Sequence, residues 1–379
     1  MKKCFYILLV LFVSSCSHKD MHVINNDDLS KIEKCKLTIE NAWGSDKISP
    51  LTTSPETVGM YDDMIYYTVR DSETITLKFS DLNGVVKKSL TFYRGKGPGE
   101  ILTFTNLLVR DGIIYFYDAE QYRLSMFDMQ GDYLDCVLIN ESFGMGSIID
   151  IHDNMVYSHG MFNTKAVKYD IENEKMIKAI KYYKDKNVLG ITKELIKMPV
   201  KKGTIAVDDG KVHIGYWSKP FRIDVMDNDL EQLSSVTRKM DGKYKKYTFS
   251  LKGLDGNIMI SSLKFDDEYM YACFGGGQTI SLAKRKLTGI PAPFTISVFD
   301  KQTYRLEKEL YFEEIPVLNG MAGIVGITDK YVVLLITDFG GSFDNLKQYM
   351  TDEVTDKYIL RGKDLGINGS MIFVVKKDF

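Results

Sequence analysis

The sequence predicts an all-β chain: a six-bladed β-propeller of four-stranded antiparallel blades, closed by an N-terminal strand that completes the last blade. Three observations carry this expectation. Tyr and Phe are abundant, at 23 and 20 residues, and sit in short alternating runs that suit half-buried strands. An acidic turn followed by an aliphatic and aromatic strand recurs six times. The last unit lacks its outer strand, while an unassigned apolar segment lies near the start.

The recurring turn and strand appear as Asp62-Asp63-Met64-Ile65-Tyr66-Tyr67, Asp111-Gly112-Ile113-Ile114-Tyr115-Phe116 and Asp153-Asn154-Met155-Val156-Tyr157. They return as Asp209-Gly210-Lys211-Val212-His213, Asp267-Glu268-Tyr269-Met270-Tyr271 and Asp329-Lys330-Tyr331-Val332-Val333. Asp, Asn and Gly adopt tight-turn geometry readily, and β-branched and aromatic residues favour the strand that follows. A second strand, ending in an Asp-headed turn, follows in each of five units: Leu77 to Asp81, Leu124 to Asp128, Val167 to Asp170, Ile223 to Asp227 and Ile296 to Asp300. One further strand follows each turn. The units recur every 42 to 62 residues, the size of a propeller blade.

Met371 to Val375 runs into the C-terminus with no outer strand after it. The sequence predicts that Leu37 and Ile39 pair with it, closing the ring and removing a sheet edge open to aggregation. The competing arrangement is a two-sheet sandwich or separate β-domains. Asn345 to Leu360 is the best candidate for a helical insertion, with Lys193 to Lys197 a weaker one.

The N-terminus supplies an address. Lys2 and Lys3 precede an apolar run, Phe5 to Val13, which is too short to span a bilayer. Val13-Ser14-Ser15-Cys16 resembles the lipobox of bacterial lipoproteins. That resemblance implies cleavage before Cys16, lipidation of Cys16 and a lasting membrane anchor through two or more acyl chains. The expected organisation is a signal peptide at 1–15, a lipidated flexible tether at 16–34 and a propeller at 35–379. The expected location is the bacterial cell envelope, at the outer membrane; His18-Lys19-Asp20 leaves periplasmic and surface-facing placement both open.

Forty-nine basic and 51 acidic residues leave a net charge of −2. This balance, with export, argues against a nucleic-acid partner. Cys35, Cys136 and Cys273 are odd in number and widely spaced, so the expectation is unpaired thiols rather than a disulfide framework.

Between the first two units lies Arg94-Gly95-Lys96-Gly97-Pro98-Gly99-Glu100. With the aromatic repeat, this loop resembles the TolB-like six-bladed propeller lipoproteins, a likeness that covers about Leu37 to Phe379. It implies fold and address and carries over neither an activity nor a partner. Three glycines permit positive φ and close backbone approach. A nest of amides beside Arg94 and Lys96 could hold an anion, with Glu100 at its end; Arg94, Lys96 and Glu100 are therefore the candidate ligand-binding residues. The alternative is a blade-to-blade connection in which Glu100 caps local amides. Gly275-Gly276-Gly277 and Gly340-Gly341 carry the same choice between a site and a turn or bulge.

No Gly-x-Ser-x-Gly, His-Glu-x-x-His or Cys-x-x-Cys occurs. His152, His159 and His213 read as surface or strand residues, and the once-per-unit aspartates as turn formers. No catalytic residue, metal ligand or cofactor is expected. The expected role is that of a lipid-anchored, monomeric binding or scaffold module for a protein, peptide or glycan. The alternative is a hydrolase or lyase, metal-assisted or not, acting at the channel mouth. Convergent carboxylates, amides or histidines there would favour the enzyme; an aromatic and aliphatic lining would favour binding.

Overall fold

In the computed structural model the described residues are 22–43, 57–118, 121–139, 148–160, 164–181, 203–240, 244–250, 253–274, 276–281, 286–313, 317–318, 320–338 and 369–377. They form a six-bladed β-propeller, and no helix occurs among them. From the axis outward, blade one is Gly59–Tyr61, Met64–Arg70, Thr74–Ser80 and Val86–Tyr93. Blade two is Asn106–Arg110, Ile113–Asp118, Arg123–Asp128 and Tyr133–Leu138. Blade three is Ile148–His152, Met155–His159, Thr164–Asp170 and Lys175–Lys181. Blade four is Gly203–Asp208, Lys211–Tyr216, Arg222–Met226 and Gln232–Thr237. Blade five is Ser262–Phe265, Tyr269–Cys273, Thr295–Asp300 and Leu306–Tyr311. Blade six has Gly320–Ile327, Tyr331–Asp338 and Gly369–Lys376 from the C-terminal part of the chain.

Turn chemistry explains why the sequence folds this way. The first hairpins of blades one to four turn on Asp62-Asp63, Asp111-Gly112, Asp153-Asn154 and Asp209-Gly210, each with positive φ at both residues. That backbone twist matches the right-handed twist of the strands it joins. Blades five and six use a side chain instead. Asp266 Oδ1 accepts the amides of Glu268 and Tyr269, and Thr328 Oγ1 those of Lys330 and Tyr331. The outer hairpins are headed by Asp81, Asp128, Asp170, Asp227 and Asp300, whose carboxylates accept amides of the turn that follows. Just before each heading Asp the register slips by one residue, at Phe79/Ser80, Met126/Phe127, Lys168/Tyr169, Val225/Met226 and Val298/Phe299. Such bulges add local twist.

The blades pack face to face through their aromatic strands. Between blades one and two, Phe92, Phe104, Phe116 and Phe127 meet edge to face, with ring centroids 4.7 to 5.8 Å apart, the geometry aromatic rings prefer.

The N-terminal segment departs from expectation. Residues 16–34 read as a flexible tether, yet from His22 onward they form a strap. Strand β1 (His22–Asn25) adds in parallel to the outer strand of blade four, and β2 (Glu33–Lys36) adds in parallel to that of blade five. Between them Asn26, buried, donates to Tyr304 O at 3.1 Å and accepts the Leu306 amide at 2.9 Å. Strand β3 (Thr38–Trp43) then runs antiparallel to Gly369–Lys376 and supplies the missing outer strand of blade six, with Ile39 opposite Val375. Leu37 differs from expectation. Its amide donates to Tyr311 O of blade five, and its side chain is buried between blades five and six. It marks the crossing point of the strap rather than a partner of Met371 to Val375.

A sheet outside the blades is the second departure. Thr248–Ser250, Gly253–Ile258, Gly276–Ser281 and Lys286–Gly289 form a four-stranded antiparallel sheet, drawn from two insertions around blade five. Gly276 and Gly277 are therefore strand residues, not a turn. Gly276 has φ +82°, and a Cβ there would lie 2.4 Å from the Gly320 carbonyl of blade six, so only glycine lets the insertion seat against that strand. Gly275 and Gly340-Gly341 lie outside the described residues, as do the helical insertions expected at Asn345 to Leu360 and Lys193 to Lys197.

A candidate ligand channel on the propeller axis

The six innermost strands enclose an axial cavity of about 250 Å³. Its wall mixes aliphatic side chains, among them Val58, Val109, Leu263 and Ile324, with Arg110, Asp150, Asp208 and Lys264, and polar atoms make up more of its surface than apolar ones. Each innermost strand turns its open edge to the axis, so consecutive residues, as in Thr204 to Asp208 and Ser261 to Phe265, line the cavity. Polar side chains on the innermost strands, and Tyr66 on the second strand of blade one, also stitch blade to blade. Tyr66 Oη accepts the Val109 amide at 3.4 Å, and Asn106 Oδ1 that of Ile149 at 3.4 Å. Asp150 Oδ2 accepts the Val207 amide at 2.7 Å, and Ser262 Oγ that of Ile324 at 2.7 Å.

Charge gathers toward the C-terminal ends of these strands. Arg110 Nη1 lies 3.2 Å from Asp150 Oδ1 and also donates to Ile151 O. Asp150 Oδ1 further accepts the Ile151 amide at 2.8 Å. Both carboxylate oxygens of Asp150 are thus engaged. Lys264 lines the same cavity, and its ammonium makes no hydrogen bond or ion pair among the described residues. Burial pulls its pKa below the ordinary lysine range; Asp150 opposes that pull and Arg110 reinforces it.

Beside the channel, on the same face, Asp208, Asp209, Lys211, His213, Lys301, Gln302 and Tyr304 enclose a second cavity of about 300 Å³. Lys301 bridges Asp208 at 2.9 Å and Asp209 at 3.1 Å. Burial pushes the Asp208 carboxyl up. Burial also works against charge on Lys301, but its two carboxylate partners outweigh it and raise the lysine. His213 Nε2 meets Tyr304 Oη at 3.0 Å; burial first, then Lys211, holds this histidine down to about 3.

The other two histidines stand apart. His152 pairs with exposed Asp153 at 3.3 Å. His159 is buried, with Nδ1 2.7 Å from Lys165 O and its ring against Tyr216. Close by, buried Asp224 takes Lys165 at 2.9 Å, Arg222 at 2.6 Å, Tyr216 Oη at 2.8 Å and Ser235 Oγ at 2.6 Å. Burial raises its pKa, yet these partners prevail and the carboxyl is held low. So saturated a carboxylate fastens strands.

The candidates from the sequence fall elsewhere. The loop Arg94 to Glu100 enters the innermost strand of blade two from its N-terminal end, so it lies at the opposite face from Arg110. Its nest is filled from within, because Glu100 Oε2 accepts the Gly97 amide at 2.8 Å. A Cβ on Gly95 would lie 2.0 Å from that carboxylate oxygen. Buried Arg123 donates to the carbonyls of Lys96 at 3.0 Å, Gly97 at 3.3 Å and Glu100. Arg94 donates to Ser72 O and Leu102 O, both at 3.4 Å. Cys16 lies outside the described residues. Cys35 and Cys136 are half-buried and Cys273 is buried; all three are free thiols, and burial pushes Cys273 up to about 12. Among the described residues no group of three or more His, Cys, Asp or Glu side chains could hold a metal ion.

Fold and channel together define a six-bladed propeller with a charged axial cavity. Among solved structures, the chain is similar to a putative exported protein of Bacteroides fragilis, at 15% identity over 94% of this chain and 99% of that one, with a TM-score of 0.51. It is also similar to a member of the DUF4221 family from Bacteroides vulgatus, at 12% identity over 90% and 97%, with a TM-score of 0.53. At these identities the likeness shows the fold alone. No family model and no curated protein matches the chain.

Proposed function

We propose that the chain is the precursor of a TolB-like, lipid-anchored envelope protein whose propeller binds a group of a protein, peptide or glycan in its axial channel without transforming it. The observation that carries this reading is the state of the channel carboxylates. Asp150 is consumed by Arg110 and two backbone amides, and Asp208 by Lys301. Hydrolysis by paired carboxylates or a bound metal needs such groups free to move a proton or to coordinate. A wall that sets placed polar groups beside aliphatic ones suits recognition. The apolar run before Cys16 and the similarity to a protein described as exported support an envelope address.

Two experiments test the reading. Palmitate labelling and membrane fractionation of wild type and Cys16→Ala test the anchor: labelling that persists in the variant overturns it. Co-purification from membranes, compared among wild type, Arg110→Ala/Lys264→Ala and Arg94→Ala/Lys96→Ala, tests the site. Partners lost with the first pair alone support the channel; partners lost with the second pair alone move the site to the glycine loop. Saturable heat on titration with millimolar Ca²⁺, abolished by Asp208→Asn, would favour the metal-assisted enzyme instead.

A further inference from the structure

We infer that the axial channel recognises a single carboxylate, held by the guanidinium edge of Arg110 and the ammonium of Lys264. This rests on the channel being the binding site. The charge count comes first. Asp150 pairs with Arg110 and Asp208 with Lys301, so Lys264 is the charged group of the lining with no ion-pair partner among the described residues. A partly buried ammonium is costly to leave unpaired, and no acceptor among the described residues relieves it. One anionic group does.

Geometry then selects among anions. Arg110 uses Nη1 for Asp150 and Ile151 O, which leaves Nε and Nη2 with no partner among the described residues. Those two nitrogens are parallel donors matched to the two oxygens of a carboxylate. A dianionic phosphate would bring two charges to the one unpaired ammonium. The volume of about 250 Å³ falls below that of drug-sized pockets and admits one small group, such as a uronic acid ring or a peptide C-terminus. An arriving carboxylate also restores full charge to Lys264, whose pKa burial otherwise depresses.

Calorimetric titration of the mature protein tests this with paired probes. Glucuronate is compared with glucose, acetyl-glycyl-glycine with its C-terminal amide, and both acids with inorganic phosphate. The expected result is saturable binding of at least one acid, not of its neutral counterpart, weakened at least tenfold by Lys264→Met and by Arg110→Gln and unchanged by Arg94→Ala/Lys96→Ala. Which acid binds separates a glycan source from a peptide source. Equal binding of acid and neutral partner overturns the charge assignment while leaving the channel as a binding site. Tighter binding of phosphate, lost in Lys264→Met, overturns the carboxylate and keeps an anion site. No heat from either acid overturns the inference, while the co-purification comparison still decides the channel reading separately. Circular dichroism of both variants establishes that they fold.

Discussion

Asp150 of blade three accepts the backbone amide of Val207 in blade four at 2.7 Å while its other oxygen faces Arg110 of blade two. One carboxylate therefore ties three consecutive blades at the axis. An innermost strand has no neighbour on its axial edge, so its amides need side-chain acceptors or water. Asp150→Ala removes the side-chain acceptor of the Val207 and Ile151 amides and leaves Arg110 only the Ile151 carbonyl. It is expected to lower stability by about 3 kcal/mol. Asp150→Asn keeps an acceptor for Val207 but turns an amide NH2 toward Arg110 and the Ile151 amide, so an intermediate loss of about 2 kcal/mol is expected. Urea midpoints of the two variants check the order. Equal losses would mean that the carboxylate acts only through Arg110.

The glycine loop makes a different demand. Arg123 is buried and donates to three loop carbonyls that share no other common partner. Arg123→Ala is expected to cost about 3 kcal/mol and to make the 94–100 segment the first site of proteolytic cleavage. Arg123→Lys should recover less than half of that loss, because a point-charge ammonium cannot reproduce a planar fork of donors. Limited proteolysis with mass spectrometry locates the cut. Full recovery by lysine would show that charge, not geometry, holds the loop.

The blades were legible in the sequence because each is written in local chemistry. Asp111-Gly112 and Asp153-Asn154 specify their turns through positive φ, and Asp81 or Asp227 through amides two and four residues on. The closing strand β3 was legible as the missing strand of blade six, but the parallel part of the strap was not. Strands β1 and β2 are short and mostly exposed, and joining an outer edge in parallel needs no turn or alternation to announce it. Nor was the channel. Arg110, Asp150 and Lys264 come from three different blades, and ring closure alone brings them to one cavity. The glycine loop drew attention through a conspicuous local motif, whereas the groups in the channel have no local motif at all.

The strap divides into parts of unequal weight. Beginning the chain at Leu37 removes β1 and β2, whose side chains are mostly exposed, together with the Asn26 bonds and the half-buried Ile24, Leu29 and Ile32. A fall in melting temperature of several degrees is expected, with the propeller intact. Beginning the chain after Trp43 removes β3 and buried Leu37, Ile39 and Trp43, and it opens the outer edge of blade six. That chain is expected to aggregate, since an unpaired sheet edge templates association. Light scattering and thermal melts of the two truncations distinguish these outcomes. A soluble, cooperatively melting product from the second would remove β3 as the closing strand.

His213 makes acid stability predictable in sign. Its folded pKa is held down to about 3, chiefly by burial and then by Lys211, against an ordinary value of 6.5. The unfolded chain therefore takes up a proton as the pH falls through 6.5, while the folded chain does not until about 3. Between those values the unfolded state binds more protons, so stability falls as pH falls, by up to about 1.4 kcal/mol per pH unit from this residue. Above 6.5 the contribution is fully present and flat. His213→Gln keeps a group able to bond the Tyr304 hydroxyl but does not titrate, so its stability curve should be shallower between pH 6 and 4. Carboxylates such as Asp224, whose folded pKa is depressed, lose their own stabilisation in acid in both proteins and cancel in the difference. Urea midpoints at each pH give that difference directly. Parallel curves for wild type and His213→Gln would show that His213 is protonated in the folded protein, and that the pocket around Tyr304 opens to water more readily than its burial implies.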